Sequence, residues 1–153
     1  EQVGTPEEIL ASPASDYIRN FVQDVDRSRV LHAKDIMFTP NALLTHKSGL
    51  KMAIREMKIN GISSIFVIGN ERKLLGLITI DDAVNALKNH KTIDDILIHD
   101  YFTADPDKTV NELTPVAKDT RYPIAVVNDQ SQLMGIIVRA SVLSAFVGQE
   151  TDE

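Results

Sequence analysis

The chain has 153 residues, a formal net charge of −6, 43% apolar residues and 25% charged ones. That length suits one ordinary domain or two very small ones, and with no Trp and few aromatics the core must be aliphatic. The acidic balance, without a basic run, argues against nucleic acid or anionic lipid as partners, and the lack of cysteine excludes disulfides, thiolate catalysis and Cys-based zinc sites and fits a reducing compartment.

No apolar run nears the roughly 20 residues that cross a bilayer, and no basic-then-apolar leader is seen. The chain starts at Glu1 rather than Met, which reads as a piece of a longer protein. Residues 1–31 form a helical lead segment by sequence. Thr5-Pro6-Glu7-Glu8 opens a helix, with Thr as cap, Pro at the first helical position and acids where the helix dipole favours them. Ser12-Pro13 opens a second helix, with Ile18, Phe21, Val22 and Val25 on one face. That face is expected to pack on something outside this segment.

Ala33-Lys34-Asp35-Ile36-Met37 is a short lead-in to the next unit. Leu50, Ala53, Ile54 and Met57 then recur at helical spacing. Ile65-Phe66-Val67-Ile68 reads as a strand, Gly69 to Lys73 as a polar turn, and Leu74-Leu75-Gly76-Leu77-Ile78 as a second strand. A helix follows with Ile80, Ala83, Val84 and Leu87 on its face. The pattern then starts again. Ile93-Asp94-Asp95-Ile96-Leu97 lies 60 residues after the first lead-in. Val110, Leu113 and Ala117 make a weaker helical face, on which Thr114 intrudes. Pro115 predicts that this helix is short or late-starting. Ile124-Ala125-Val126-Val127, the turn Asn128 to Gln132, and Leu133-Met134-Gly135-Ile136-Ile137 fall 59 residues after their counterparts. Arg139, Val142, Leu143 and Phe146 close the copy.

This is an internal repeat. Each unit runs lead-in, strand, helix, strand, strand, helix, and neither buries much surface alone at about sixty residues. The prediction is an α/β fold of two β-α-β-β-α repeats, packed sheet against sheet with pseudo-twofold symmetry and preceded by a short helical segment. The boundaries are 1–31 for the lead segment, 32–91 and 92–148 for the repeats, and 149–153 for a polar tail.

The repeat resembles the CBS domain, and the pair resembles a Bateman module. Ile65 to Ile68 and Leu74-Leu75-Gly76-Leu77-Ile78-Thr79-Ile80-Asp81-Asp82 carry the likeness in copy one. The lead segment is similar to the end of the ATP-binding subunit of quaternary-ammonium ABC importers, the glycine betaine, carnitine and proline class. Gln2 to Ile9, Pro13-Ala14, Asp16-Tyr17, Phe21-Val22 and Val25-Asp26-Arg27-Ser28, leading into Asp35-Ile36-Met37, carry that likeness. The sequence holds no Walker-type phosphate loop, so this piece is expected not to hydrolyse ATP. The full-length chain is expected to be an ABC transporter ATPase.

The resemblance implies two places for an adenine nucleotide. Thr79 and Asp82 would face a cleft, the Asp suiting ribose hydroxyls and the Thr and helix N-terminus suiting phosphate. Thr-x-x-Asp is equally a helix-capping arrangement that needs no ligand. Copy two has Val138 and Ser141 in their place. There the resemblance implies cyclic di-AMP at a dimer interface, with Tyr122 stacking on a base, Ile124, Ile136 and Val138 lining it, and Arg139 and Ala140 opening the helix against a phosphate. The alternatives are a solvated Arg139 and a core Tyr122. The four histidines lack metal-ligand spacing, and Asp81-Asp82 and Asp94-Asp95 suit caps better than acid–base pairs.

The expected role is therefore a regulatory module with no required cofactor and no catalysis of its own. Its expected partners are a second CBS module, the ATPase domain of the same chain, a membrane permease subunit and an adenine nucleotide. It would sit at the cytoplasmic face of the cell membrane. A ligand-free dimerisation clamp or ionic-strength sensor of the same transporter is the competing expectation.

Overall fold

The computed structural model describes residues 31–40 and 44–151, the last six as backbone alone. The helices expected within residues 1–30 lie outside them. One helical turn, α1 (Ala33–Ile36), leads to strand β1 (Leu44–Thr45), helix α2 (Leu50–Asn60), strands β2 (Ser64–Ile68) and β3 (Leu74–Thr79), and helix α3 (Ile80–Lys88). A 3₁₀ turn (Ile93–Ile96) then leads to β4 (Thr103–Ala104), α4 (Val110–Asp119), β5 (Ile124–Val127), β6 (Leu133–Ile137) and α5 (Arg139–Thr151). The predicted order of elements thus holds in both copies. The tail from Gln149 to Thr151 continues the backbone of α5 rather than standing apart from it.

Each copy forms a three-stranded sheet, β1-β2-β3 and β4-β5-β6, with the first pair parallel and the second antiparallel. The hairpins share one register. Phe66 faces Leu77 and Ala125 faces Ile136, and the register slips after Val67 and again after Val126.

Successive strand side chains point to opposite faces. One face of the first sheet sends Ile65, Val67 and Ile78 against Leu50, Ala53 and Met57 of α2 and Ala83 and Ala86 of α3. The second sheet repeats this, with Ile124, Val126 and Ile137 against Val110, Leu113, Ala117 and Val142. The remaining faces meet each other, with Phe66, Ile68 and Leu77 packed on Ala125, Leu133 and Ile136. Burial on both faces explains why the strands read as unbroken apolar runs rather than as alternation.

The lead-ins change partners. Leu31, Ala33, Ile36 and Met37 pack on the core of the second copy, while Ile93, Ile96 and Leu97 pack on that of the first. Phe38 bridges to Ile136 and Ile98 to Leu77. Two glycines permit the close approach. A Cβ on Gly76 would stand 3.0 Å from Leu97 Cδ2 and 3.1 Å from the Ile98 carbonyl oxygen, and one on Gly135 would stand 2.9 Å from Met37 Sδ.

The expectation of a short or late α4 is corrected. The helix starts at Val110, because Thr109 and Glu112 form a reciprocal capping box, and it runs ten residues with Pro115 inside. Proline there costs the N–H that would bond to the Asn111 carbonyl. Both residues are exposed, so water can take that carbonyl. Thr114, the misfit on the face, donates its hydroxyl to the Val110 carbonyl at 3.2 Å.

Candidate functional site: a cleft between the repeats

The outer ends of the two hairpins converge on a cleft of about 810 Å³, within the range of small-molecule sites. The first repeat supplies the end of β3 and the start of α3, Thr79 to Asp82, and the residues entering β2, Ile62, Ser63 and Ser64. The second repeat supplies Arg121, Tyr122 and Pro123 before β5, with Ile136 and Val138 at the end of β6. Phe38 and Pro40 of the first lead-in complete the wall. Five residues singled out by sequence, Thr79, Asp82, Tyr122, Ile136 and Val138, are therefore together in one cleft.

Thr79 ends β3 with extended backbone, and its hydroxyl oxygen accepts the Asp82 N–H at 3.2 Å. The capping alternative thus accounts for the Thr79 side chain, an arrangement worth about 1 kcal/mol. It does not account for the Asp82 carboxylate. At Thr92 and Thr109 the acid three residues on reaches back to the cap's own N–H, at 2.9 Å in both cases. Asp82 makes no such return bond, and among the described residues its carboxylate has no hydrogen-bond or ion-pair partner. It is an uncommitted acceptor on the cleft wall.

Tyr122 is held by its backbone. Its carbonyl accepts the hydroxyl of Thr120, a buried polar side chain that is thereby satisfied. The Arg121 guanidinium carbon stands 5.6 Å from the centre of the Tyr122 ring, within cation–π range.

Three of the sequence-nominated residues lie outside the cleft wall. Ile124 is fully buried in the second core, where the pleat turns it away from the cleft. Ala140 is exposed but is not part of the lining. Arg139 is engaged elsewhere. Its Nε donates to the Ala117 carbonyl at 2.9 Å, and its Nη2 to the carbonyls of Lys118 at 3.3 Å and Thr120 at 3.1 Å. A cation at a helix N-terminus opposes the dipole, but this side chain reaches across to the C-terminal end of α4, where orphan carbonyls and the dipole both favour it. Arg139 is exposed, as the solvated alternative has it, with these three carbonyls as its partners.

Sequence reasoning missed Phe38, Ile62, Ser63 and Arg121. Phe38 and Ile62 belong to no periodic face, and their 44% and 38% exposure marks apolar surface presented to the cleft. Arg121 carried one signal, its place beside Tyr122 at the entrance of a strand.

Two such repeats packed sheet against sheet, with a cleft at the hairpin ends, define a class of paired α/β modules. The chain belongs to the CBS domain family, whose model matches residues 33–89 and 93–148. It is 39% identical over 147 residues to the glycine betaine transport ATP-binding protein OpuAA of Bacillus subtilis (96% of this chain, 35% of that one). It is 38% identical over 152 residues to the glycine betaine/carnitine transport ATP-binding protein GbuA of Listeria monocytogenes (99% and 38%). The chain therefore spans little more than a third of the length of these relatives. Among solved structures it is similar to Staphylococcus aureus OpuCA, with a TM-score of 0.67 and 25% identity over 74% of this chain and 97% of that one. It is also similar to the CBS domain pair of protein MJ0100 in complex with 5-methylthioadenosine and S-adenosyl-L-methionine, with a TM-score of 0.62 and 26% identity over 77% and 97%.

Proposed function

We propose that this module is the regulatory part of the ATP-binding subunit of an osmoprotectant ABC importer, and that it reads an adenine nucleotide. The observation that carries the reading is the uncommitted Asp82 carboxylate beside a capped helix start in an 810 Å³ cleft. A carboxylate suits the two hydroxyls of a ribose, and Tyr122 and Phe38 offer flat apolar surface to a base. The relatives' names support the importer assignment, and the adenosine compounds held by the MJ0100 pair support the ligand class.

In this reading residues 1–31 end the ATPase domain, 32–91 and 92–148 are the two CBS units, and 149–153 are a polar tail. Catalysis belongs to the ATPase domain of the longer chain, which docks on a permease at the inner face of the membrane. Two modules pair, and cyclic di-AMP is the proposed ligand at their interface, held by Tyr122, Ile136, Val138, Arg139 and Ala140, which lie at one end of the second hairpin. Ligand shifts the transporter by its differential affinity for the two states.

Calorimetry of the chain against cyclic di-AMP, AMP and ATP tests this. Asp82→Ala should weaken mononucleotides, and Arg139→Ala should abolish binding of the cyclic dinucleotide. Silence toward all three nucleotides would end the reading. A second reading, a ligand-free clamp or ionic-strength sensor, draws on the Thr79 cap, which needs no ligand, and on Val138 and Ser141 standing where copy one has Thr79 and Asp82. Transporter ATPase activity that follows salt and ignores nucleotide would favour it.

A further inference from the structure

We infer that the turn between β2 and β3 is a latch held in shape by the second repeat, and that the two repeats pivot at this latch when the cleft at their other ends opens and closes.

The sequence of the turn contradicts its shape. The Lys73 N–H donates to the Asn70 carbonyl at 3.2 Å, and the two residues between them, Glu71 and Arg72, both take the left-handed conformation, with φ of 57° and 60°. A two-residue turn of this hand suits Asn-Gly, and residues with a Cβ are strained in it. Among the described residues, no side chain of this turn bonds back to it. The bonds that hold it come from the other repeat. Gln132 Nε2 donates to the Glu71 carbonyl at 2.8 Å, Arg72 Nε to the Leu133 carbonyl at 3.1 Å, and the Leu74 N–H to the Ser131 carbonyl at 3.0 Å. The second turn needs no such help. Asn128 Oδ1 accepts the N–H groups of Gln130 and Gln132 at 2.9 and 3.0 Å, and Asn128 Nδ2 donates to Gln132 Oε1 at 2.8 Å. A self-built tip thus imposes a conformation on a tip that disfavours it.

The latch lies at the far end of the hairpins from the cleft. Strand β2 runs five residues from Ser64 on the cleft wall to Ile68, about 16 Å at the usual strand rise. Along that length the sheets meet through apolar side chains, Phe66, Ile68 and Leu77 on Ala125, Leu133 and Ile136. Among the described residues, the hydrogen bonds that join one hairpin to the other are the three at the tips. Phe38 and Ile98 bond to the hairpins that their own lead-ins already cover. Hydrogen bonds are directional and apolar contacts are not. The sheets are therefore fixed at the tips and free to rock elsewhere, with Thr79 to Asp82 on one jaw and Arg121 to Pro123 on the other.

Two measurements on the 153-residue chain test the latch and the pivot. Gln132→Glu keeps the acceptor that Asn128 uses and removes the donor to Glu71. Native-state hydrogen exchange at the Lys73 N–H should quicken about tenfold, the value of one hydrogen bond, while Val67 and Val126 keep the parental rate. In a Glu71→Asn, Arg72→Gly background, whose turn holds itself, the same change at Gln132 should leave Lys73 unmoved. No change at Lys73 in Gln132→Glu, or equal quickening in both backgrounds, overturns the latch. The chain has no cysteine of its own, so spin labels can be placed cleanly on exposed positions. Labels on Asp81→Cys and Arg121→Cys, across the cleft mouth, should give a broader distance distribution than labels on Asn70→Cys and Gln130→Cys at the tips, and Gln132→Glu should broaden the tip pair. Equal widths in the parent, or a tip pair indifferent to Gln132→Glu, overturn the pivot.

Discussion

Phe38 and Ile136 exchange both of their backbone hydrogen bonds, at 3.0 and 2.9 Å, although 98 residues separate them. Leu77 and Ile98 repeat the exchange at 2.9 and 2.7 Å. These are the paired bonds of directly opposed antiparallel residues, and they tie each lead-in to the other copy's hairpin. Each half therefore closes its core with a piece of chain that belongs in sequence to the other.

Phe38→Pro checks that exchange. It deletes the N–H that donates to the Ile136 carbonyl, at a cost of about 1–3 kcal/mol for a buried acceptor left unpaired. The loosening should fall on the second repeat. Native-state hydrogen exchange should speed up at Val126 and Ile137 before it does at Val67 and Ile78. Ile98→Pro should give the mirror image. Faster exchange confined to the first repeat in Phe38→Pro would contradict the swapped docking.

The two close-approach glycines should not be equivalent. A methyl on Gly76 meets Leu97 Cδ2 and the Ile98 carbonyl oxygen, which is backbone, whereas one on Gly135 meets side-chain atoms alone, Met37 Sδ, Cγ and Cβ. Met can swing aside and backbone cannot. Gly76→Ala should cost about 1–3 kcal/mol by overpacking, and Gly135→Ala clearly less. Urea unfolding of the two variants measures the difference, and equal losses would mean that Met37 is as fixed as the strand.

The repeat, its element order and its sheet-on-sheet core were legible because the apolar runs recur at one offset and have one physical use. The swap of lead-ins was not. Ala33 to Met37 and Ile93 to Leu97 are locally self-capped, with the His32 N–H on Asp35 and the Thr92 N–H on Asp95, and local order says nothing about which distant sheet will cover them. The cleft was half legible. Thr79, Asp82 and Tyr122 are legible as site residues through the resemblance to paired CBS domains, since their positions alone fit a helix cap and a core Tyr equally well. Arg139 was read for its own helix, and its real partners, three carbonyls from Ala117 to Thr120, are visible only once α4 and α5 lie side by side. Pro115 misled because propensity counts the lost N–H without asking whether the orphaned carbonyl faces water.

The Arg139 contact explains a difference between the two copies. In the first, α2 ends on Gly61 in the left-handed conformation, φ 64°, with its N–H on the carbonyls of Lys58 and Met57. That is the usual glycine termination. In the second, Thr120 stands in its place with φ −71°, and the Arg139 side chain takes over the free carbonyls. Arg139→Ala should then cost about 1–3 kcal/mol. Adding Thr120→Gly to that variant should restore part of the loss by allowing the glycine termination. Thr120→Gly also removes the hydroxyl that holds the Tyr122 carbonyl, so the informative outcome is recovery of both stability and cyclic dinucleotide binding, which would mark Arg139 as a positioning residue.

Acid should weaken the fold through two capping carboxylates. Glu112 is held below the usual carboxylate range by the Thr109 N–H, then by the Thr109 hydroxyl, with smaller help from Lys108 and His32. Asp95 is held low in the same way by the Thr92 N–H and hydroxyl, with Lys91 assisting. A carboxyl whose folded pKa is depressed binds fewer protons in the native state than in the unfolded one, so stability rises with pH across the interval between the two. The contribution is complete above the unfolded values of about 4 and is lost as pH falls through the lower folded ones. Unfolding by urea at pH 7, 5 and 3 should show little change between the first two and a fall at the third. Glu112→Gln keeps a capping side chain that cannot ionise, so it should shrink the drop between pH 5 and pH 3 while leaving α4 in place. A drop of unchanged size in the Glu112→Gln, Asp95→Asn double variant would place the acid sensitivity on other groups.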